Sequence, residues 1–175
     1  MKKTLQITIA VILIAFCISC STNKQIVSEL KKENYQTIPV SNVELNSTLK
    51  HIAYFDKDSL NRLEAVLKLK DEDALKHVAY FDSCVNVRKL ATEKISKENY
   101  LKHIAYFDKD EDIRYIATNK INNESYLKHI AYFDKSSCVR QLATSKIESV
   151  GILSHIAKFD KDLEVKKIAI AALTK

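Results

Sequence analysis

Apolar positions along this chain keep a helical period, and the pattern itself repeats. Leu49, Ile52, Ala53 and Asp56 fall at i, i+3, i+4 and i+7, one face of an α-helix, and Phe55 widens that face on one side. A second stretch starts five residues beyond the aspartate of each unit. There Val87, Leu90, Ala91 and Ile95 follow i, i+3, i+4, i+8 spacing, as do Ile113, Ile116, Ala117 and Ile121, and Val139, Leu142, Ala143 and Ile147. The phrase that opens at Leu49, LKHIAYFD, returns with small changes at Leu75, Leu101, Leu127 and Leu153, each 26 residues after the last. A period of ~20–50 residues predicts a solenoid. The expected architecture is all-α: about five 26-residue units, each a helix A and a helix B, stacked into a superhelix over 43–175. One such unit cannot bury its own apolar faces, so stability must be shared between neighbours.

The junctions support this. Asp58, Asp110 and Asp162 are expected to cap the second helices, and Asp71, Ser96 and Asn122 the first. Small side chains at Ala53, Ala79, Ala105, Ala131 and Ala157 let helices approach closely. Composition changes the picture in one respect: with a single glycine and a single proline in 175 residues, the chain lacks the turn residues that strand-rich folds need.

The first residues call for a separate reading. Met1-Lys2-Lys3 is a short positive region, and Leu5 to Ile18 is mostly apolar but too short to span a bilayer stably. Ile18-Ser19-Cys20 ends it with a small residue before a cysteine. This resembles the signal peptide of bacterial lipoproteins, with Cys17 where that pattern usually has leucine. The resemblance implies removal of residues 1–19, a lipid on Cys20, a tether over 20–42 that holds Pro39, and a lipid-anchored domain in the cell envelope. Ser21 after the cysteine implies the outer membrane, with sidedness open.

The net charge of +6 comes from 28 basic and 22 acidic residues with interspersed signs, which argues against a nucleic-acid partner. Four cysteines do not make a disulfide framework. Cys17 and Cys20 belong to the signal. Cys84 and Cys138 lie two repeats apart, on the order of 20 Å at ~8–10 Å per packed helix, too far for a disulfide. Both are expected to be free thiols, small buried residues near a helix start.

The order Asp108-x-Asp110-x-x-Ile113-Arg114-x-x-Ala117, after an apolar helix, resembles the HEAT-like repeat. In that family a helix-ending Asp and a helix-starting Arg recur six apart. Here the counterparts are Asp56 and Arg62, Asp82 and Arg88, Asp108 and Arg114, Asp134 and Arg140, and Asp160 with Lys166. In length the unit is closer to the similar leucine-rich repeat variant. The first unit departs from the pattern at Asn61 and Glu64. The resemblance implies a protein-binding scaffold, and no lyase motif of the family can be matched.

The Asp/Arg ladder is expected to be structural, joining helix A to helix B and to the next unit, because a carboxylate neutralised by arginine is a poor base. All five histidines share one position: His51, His77, His103, His129 and His155. Stacked ~8–10 Å apart, with no second ligand type fixed beside them, they predict no metal site; no cofactor and no catalytic residue is expected either. The candidate binding stripe is the rest of the phrase. Lys50, His51 and Tyr54 lie opposite the apolar face, as do Lys76, His77 and Tyr80, then Lys102, His103 and Tyr106, then Lys128, His129 and Tyr132. These positions stay nearly constant while outward helix B positions drift through Lys89, Tyr115 and Gln141. Two readings remain: a contact surface for a protein or for an anionic polymer or glycan, or a seam where tyrosine packs between repeats. The apolar C-terminal stretch Ile168 to Leu173 adds an expectation of self-association through that end.

Overall fold

The computed structural model describes residues 42–174. The expected signal segment, Cys20 and nearly all of the tether lie outside the described residues. Among the described residues the chain forms ten helices and no strand. The helix A series is α1 (Asn42–Phe55), α3 (Glu72–Phe81), α5 (Glu98–Phe107), α7 (Glu124–Phe133) and α9 (Val150–Phe159). The helix B series is α2 (Ser59–Lys68), α4 (Val85–Lys94), α6 (Glu111–Lys120), α8 (Ser137–Ser145) and α10 (Leu163–Leu173). Each helix A packs on its own helix B, and each helix B on the next, as in a helical-repeat solenoid. Helix B neighbours approach one another more closely than helix A neighbours, so helix A forms the wider row.

The turns explain the near absence of glycine. No described residue has a positive φ. Every helix A ends at a phenylalanine, and Asp82, Asp108, Asp134 and Asp160 after the last four adopt extended backbone, as at Asp82 (φ −64°, ψ 137°). Its carboxylate then accepts the N–H two residues on, Cys84 N to Asp82 Oδ1 at 2.7 Å. Asp58, Asp71, Asp110 and Asp162 accept first-turn N–H groups as N-caps. The caps of α5 and α7 fall one residue beyond those expected, at Lys97 and Asn123. Ser96 and Asn122 instead donate their backbone N–H to Glu72 and Glu98 of the preceding repeat, at 2.8 and 2.6 Å.

The core is a continuous seam between the two rows. Leu75, Leu101, Leu127 and Leu153 are buried in helix A, with Val78, Ile104, Ile130 and Ile156 a turn later. Val87, Ile113, Val139 and Val165 meet them from helix B, beside Ala91, Ala117, Ala143 and Ala169. Each large aliphatic side chain so buried contributes ~1.5–3 kcal/mol. Phe55 and its copies are not part of this core: they are 62–71% exposed. Phe55 stands six residues after Leu49, about 240° around the helix, and no neighbouring repeat covers that side.

The two ends differ from the middle. Asn61, exposed, occupies the position of buried Val87, Ile113 and Val139, and its amide turns back to Asp56 (3.3 Å). The last repeat carries Val150, Ser154, Lys158 and Lys166 where the inner repeats have Glu, Lys, Tyr and Arg. Ile170 (51% exposed) stands where Thr92, Thr118 and Thr144 are fully buried.

Candidate functional site

Two longitudinal arrays run through the stack, one buried and one exposed. The buried array is the Asp/Arg ladder, and its register differs from the six-residue pairing expected. Arg62 reaches forward 20 residues to Asp82, with Nε–Oδ2 at 2.7 Å and Nη2–Oδ1 at 2.8 Å. Arg88 binds Asp108, Arg114 binds Asp134 and Arg140 binds Asp160 in the same two-pronged way, at 2.8–3.1 Å. Within its own unit each arginine side chain donates through Nη1, to the backbone carbonyls of the aspartate six before it and of the residue after that aspartate, as Arg114 does to Asp108 (3.1 Å) and Lys109 (3.4 Å). The helix-ending aspartate presents its carbonyl to its own helix B, while its carboxylate faces the preceding repeat. Asp160 is therefore taken by Arg140, not by Lys166, and no sixth helix A follows Lys166 among the described residues. The paired side chains are 2–10% exposed. Hydrogen bonds to the carboxylates hold Arg62, Arg88 and Arg114 above their ordinary range. Burial pushes the Asp160 carboxyl up, but the Arg140 hydrogen bond, the Asp162 N–H and the Arg140 charge together hold it below its ordinary value. The arginine charge favours the ionised form of the Asp160 carboxylate.

Two further periodic sets of hydrogen bonds are not evident from the expected pairings, one between repeats and one within helix B. The ammonium of Lys94 donates to the carbonyls of Val66 and Leu67 (2.8 and 2.5 Å), capping the preceding helix B. Lys120 and Lys146 do the same one and two repeats later, and burial lowers the pKa of all three. The hydroxyls of Thr92, Thr118 and Thr144 donate to the arginine carbonyl four residues back, at 2.7–2.9 Å. The signal was present: Ala-Thr-x-Lys recurs in three helix B sequences at the repeat period.

The exposed array contains the predicted Lys/His/Tyr stripe, but it is reordered. His51, His77, His103, His129 and His155 are exposed. Tyr54, Tyr80, Tyr106 and Tyr132 are half-buried, because each covers the histidine of the next repeat, with ring centroids 4.1–4.5 Å apart. Tyr80 and Tyr106 also donate their hydroxyls to the carbonyls of Tyr100 and Tyr126, at 3.1 and 3.4 Å. Burial pushes the Tyr80 phenol up to about 12, and it raises Tyr54, Tyr106 and Tyr132 as well. Burial, with the Lys102 charge, lowers the His103 pKa. Of the lysines, Lys50 bonds Asp71 at 2.6 Å. Lys76 and Lys102 lie over the rings of Tyr100 and Tyr126 in the next repeat, and Lys128 over Tyr132.

The stripe's outermost members are the phenylalanines, which the sequence reading assigned to the core. Each histidine ring contacts the phenylalanine four residues on, at 4.8–5.2 Å. The result is an unbroken aromatic line of Phe, His and Tyr from Phe55 to Phe159. A helical wheel gives the part of this line that lies within one helix, since Phe55 falls beside His51 rather than beside Leu49; the tyrosine–histidine contacts join different repeats.

Among the described residues no three His, Cys, Asp or Glu side chains gather into a metal-binding group. Cys84 is half-buried as the N-cap of α4, and Cys138 is exposed in the first turn of α8; neither occupies the buried position expected, and both are free thiols. No described helix is long and apolar enough to cross a membrane. No protein-family model, curated protein or solved structure matches the chain.

Proposed function

We propose that this protein is a membrane-anchored scaffold that binds another protein along its helical-repeat solenoid, which resembles HEAT-like repeats. The observation that carries the reading is the row of five phenylalanines, each 62–71% exposed and one per repeat. Single exposed apolar residues are ordinary, but an aligned row of aromatic rings marks a contact surface. The anchor rests on the N-terminal sequence alone, with Cys20 as the lipidated residue and the outer membrane as the destination. The proposal includes no catalytic step, cofactor or nucleic acid.

A second reading, an anionic polymer or glycan as ligand, draws on Lys50, Lys76, Lys102 and Lys128 beside the rings. It predicts affinity that falls steeply with salt. Self-association through the C-terminal end draws on exposed Ile170 and Leu173. A protein that stays monomeric in sedimentation at high concentration would remove it.

The test of the main reading is crosslinking in cells followed by pull-down, with Phe55, Phe81, Phe107, Phe133 and Phe159 all changed to Ser. The parent should capture a partner that the variant loses at unchanged helicity and Tm. Equal capture by both proteins would move the binding surface off the stripe.

A further inference from the structure

The two ends of the repeat stack leave opposite faces open, and each lacks what the other presents. The partner named from them rests on the reading of C-terminal self-association given above. Among the described residues no repeat precedes α1 or follows α10. Residues whose burial needs a preceding repeat are open in the first unit. Leu49 and Ile52 are half-buried, while Leu75, Leu101, Leu127 and Leu153, and Val78, Ile104, Ile130 and Ile156, are buried. Residues whose burial needs a following repeat are open in the last unit. Ala157 is half-buried where Ala53, Ala79, Ala105 and Ala131 are buried, and Ile170 is exposed where Thr92, Thr118 and Thr144 are covered.

The first repeat nevertheless keeps the residues that later repeats turn toward the unit before them. His51 stands where His77, His103, His129 and His155 each lie under a tyrosine of the preceding repeat, and its ring contacts Phe55 of its own helix. Asp56 stands where Asp82, Asp108, Asp134 and Asp160 each receive an arginine. Its carboxylate accepts the Asp58 N–H (2.8 Å) and the Asn61 amide (3.3 Å) and is in no ion pair among the described residues. Lys68 holds the position from which Lys94, Lys120 and Lys146 reach back to the preceding helix B, and here it binds Glu64 (2.7 Å). At the other end Lys166 takes the place of Arg62, Arg88, Arg114 and Arg140, the residues that reach forward, and it too is in no ion pair among the described residues.

A second copy of this chain supplies the missing neighbour. The forward face of every inner repeat already stacks on the backward face of the next, and α1 with α2 offers a backward face of the same kind, with His51, Asp56 and Lys68 in register. Charge selects this pairing over the symmetric ones. Set on α1 and α2 of a second copy, Lys166 meets Asp56 at the place of a ladder rung. Two C-terminal ends give Lys166 no carboxylate at that place, and two N-terminal ends give Asp56 no cation. The joint is weaker than an inner one. A lysine ammonium lacks the planar fork with which arginine grips both carboxylate oxygens. Val150 and Lys158 also replace the glutamate and tyrosine of inner repeats, and Asn61 replaces a buried valine or isoleucine.

We propose that the C-terminal end of one copy docks on the N-terminal end of another, with Lys166 on Asp56 and Ile170 covered by the first repeat, so that the solenoid continues from chain to chain. Such a head-to-tail contact leaves a free end of each kind and extends past a dimer, into open chains or rings.

The test is sedimentation velocity of the full-length protein over a concentration series, under reducing conditions and with non-ionic detergent micelles in excess. The parent should grow past the dimer as concentration rises. Lys166→Glu alone and Asp56→Lys alone should each weaken association at least ten-fold. An equimolar mixture of these two variants should recover it, because contacts between unlike variants again join opposite charges. Asp56 also shapes its own turn, so Asn61→Arg and Ile170→Glu, both at exposed positions, are the second pair of variants. Each should weaken association at least ten-fold at unchanged helicity and Tm. Loss with Ile170→Glu but not with Asp56→Lys or Asn61→Arg would overturn the proposal in favour of a symmetric C-terminal dimer, and the self-association reading would stand. Folded variants whose mixture recovers nothing would also overturn it. A parent that stays monomeric throughout, or association indifferent to all four substitutions, would remove both the proposal and the C-terminal reading.

Discussion

The Asp/Arg ladder and the Phe/His/Tyr stripe are equally periodic, and they do opposite things. The ladder lies between repeats with side chains 2–10% exposed. The phenylalanines, one residue before each ladder aspartate, are 62–71% exposed. Adjacent residues of one repeated phrase thus belong to the interior and to the surface. Repetition marks a position as structurally equivalent in every unit; it does not tell which equivalents carry the stack and which remain available to a partner.

Breaking the ladder should have the largest effect. Arg114→Ala leaves the Asp134 carboxylate buried without its partner, which costs ~3–5 kcal/mol. Chemical denaturation measures this, and a loss below ~1 kcal/mol would show that the ladder does not hold the stack. Replacing both Arg114 and Asp134 by aliphatic residues of similar size should restore most of the stability, since desolvating the pair offsets much of its attraction.

Tyrosine, at the margin between the two arrays, should give an intermediate effect. Tyr80→Phe keeps the ring on His103 and removes the hydrogen bond to the Tyr100 carbonyl, a loss of ~0.5–1.5 kcal/mol. The same phenol adds a pH signature. Its pKa is raised to about 12 in the folded state from 10.0, so the unfolded chain releases the proton first. The stabilisation is complete below pH 10, declines as pH rises from 10 to 12, and changes no further above that. The parent should therefore lose more stability across that window than Tyr80→Phe does, and parallel curves would contradict this origin. Phe107→Ser sharpens the comparison from the other side. As an exposed position it should move stability by no more than ~0.5 kcal/mol while weakening ligand capture. A large loss of stability would place Phe107 with the ladder.

The sequence showed the repeat, its 26-residue length and the all-helical architecture, because helical periodicity and the near absence of glycine are local properties. It also showed Asp58, Asp71, Asp110 and Asp162 as helix caps, since capping involves residues two or three apart. It misplaced the caps at Ser96 and Asn122, whose N–H groups answer to carboxylates 24 residues away.

Of the candidate site, the sequence identified lysine, histidine and tyrosine but not their order of exposure. A helical wheel describes one helix surrounded by solvent. It sets Tyr54 farther from the core face than Phe55, yet the next repeat covers the tyrosine and leaves the phenylalanine open. The ladder residues were likewise visible, and their pairing was not. Arg62 lies six residues from Asp56 and 20 from Asp82, and proximity along the chain favours the wrong carboxylate. Residue type and period determined by themselves that this chain would stack helices. Which side of each helix meets the next repeat, and so which carboxylate receives each arginine and which ring faces water, was decided only when neighbouring units packed.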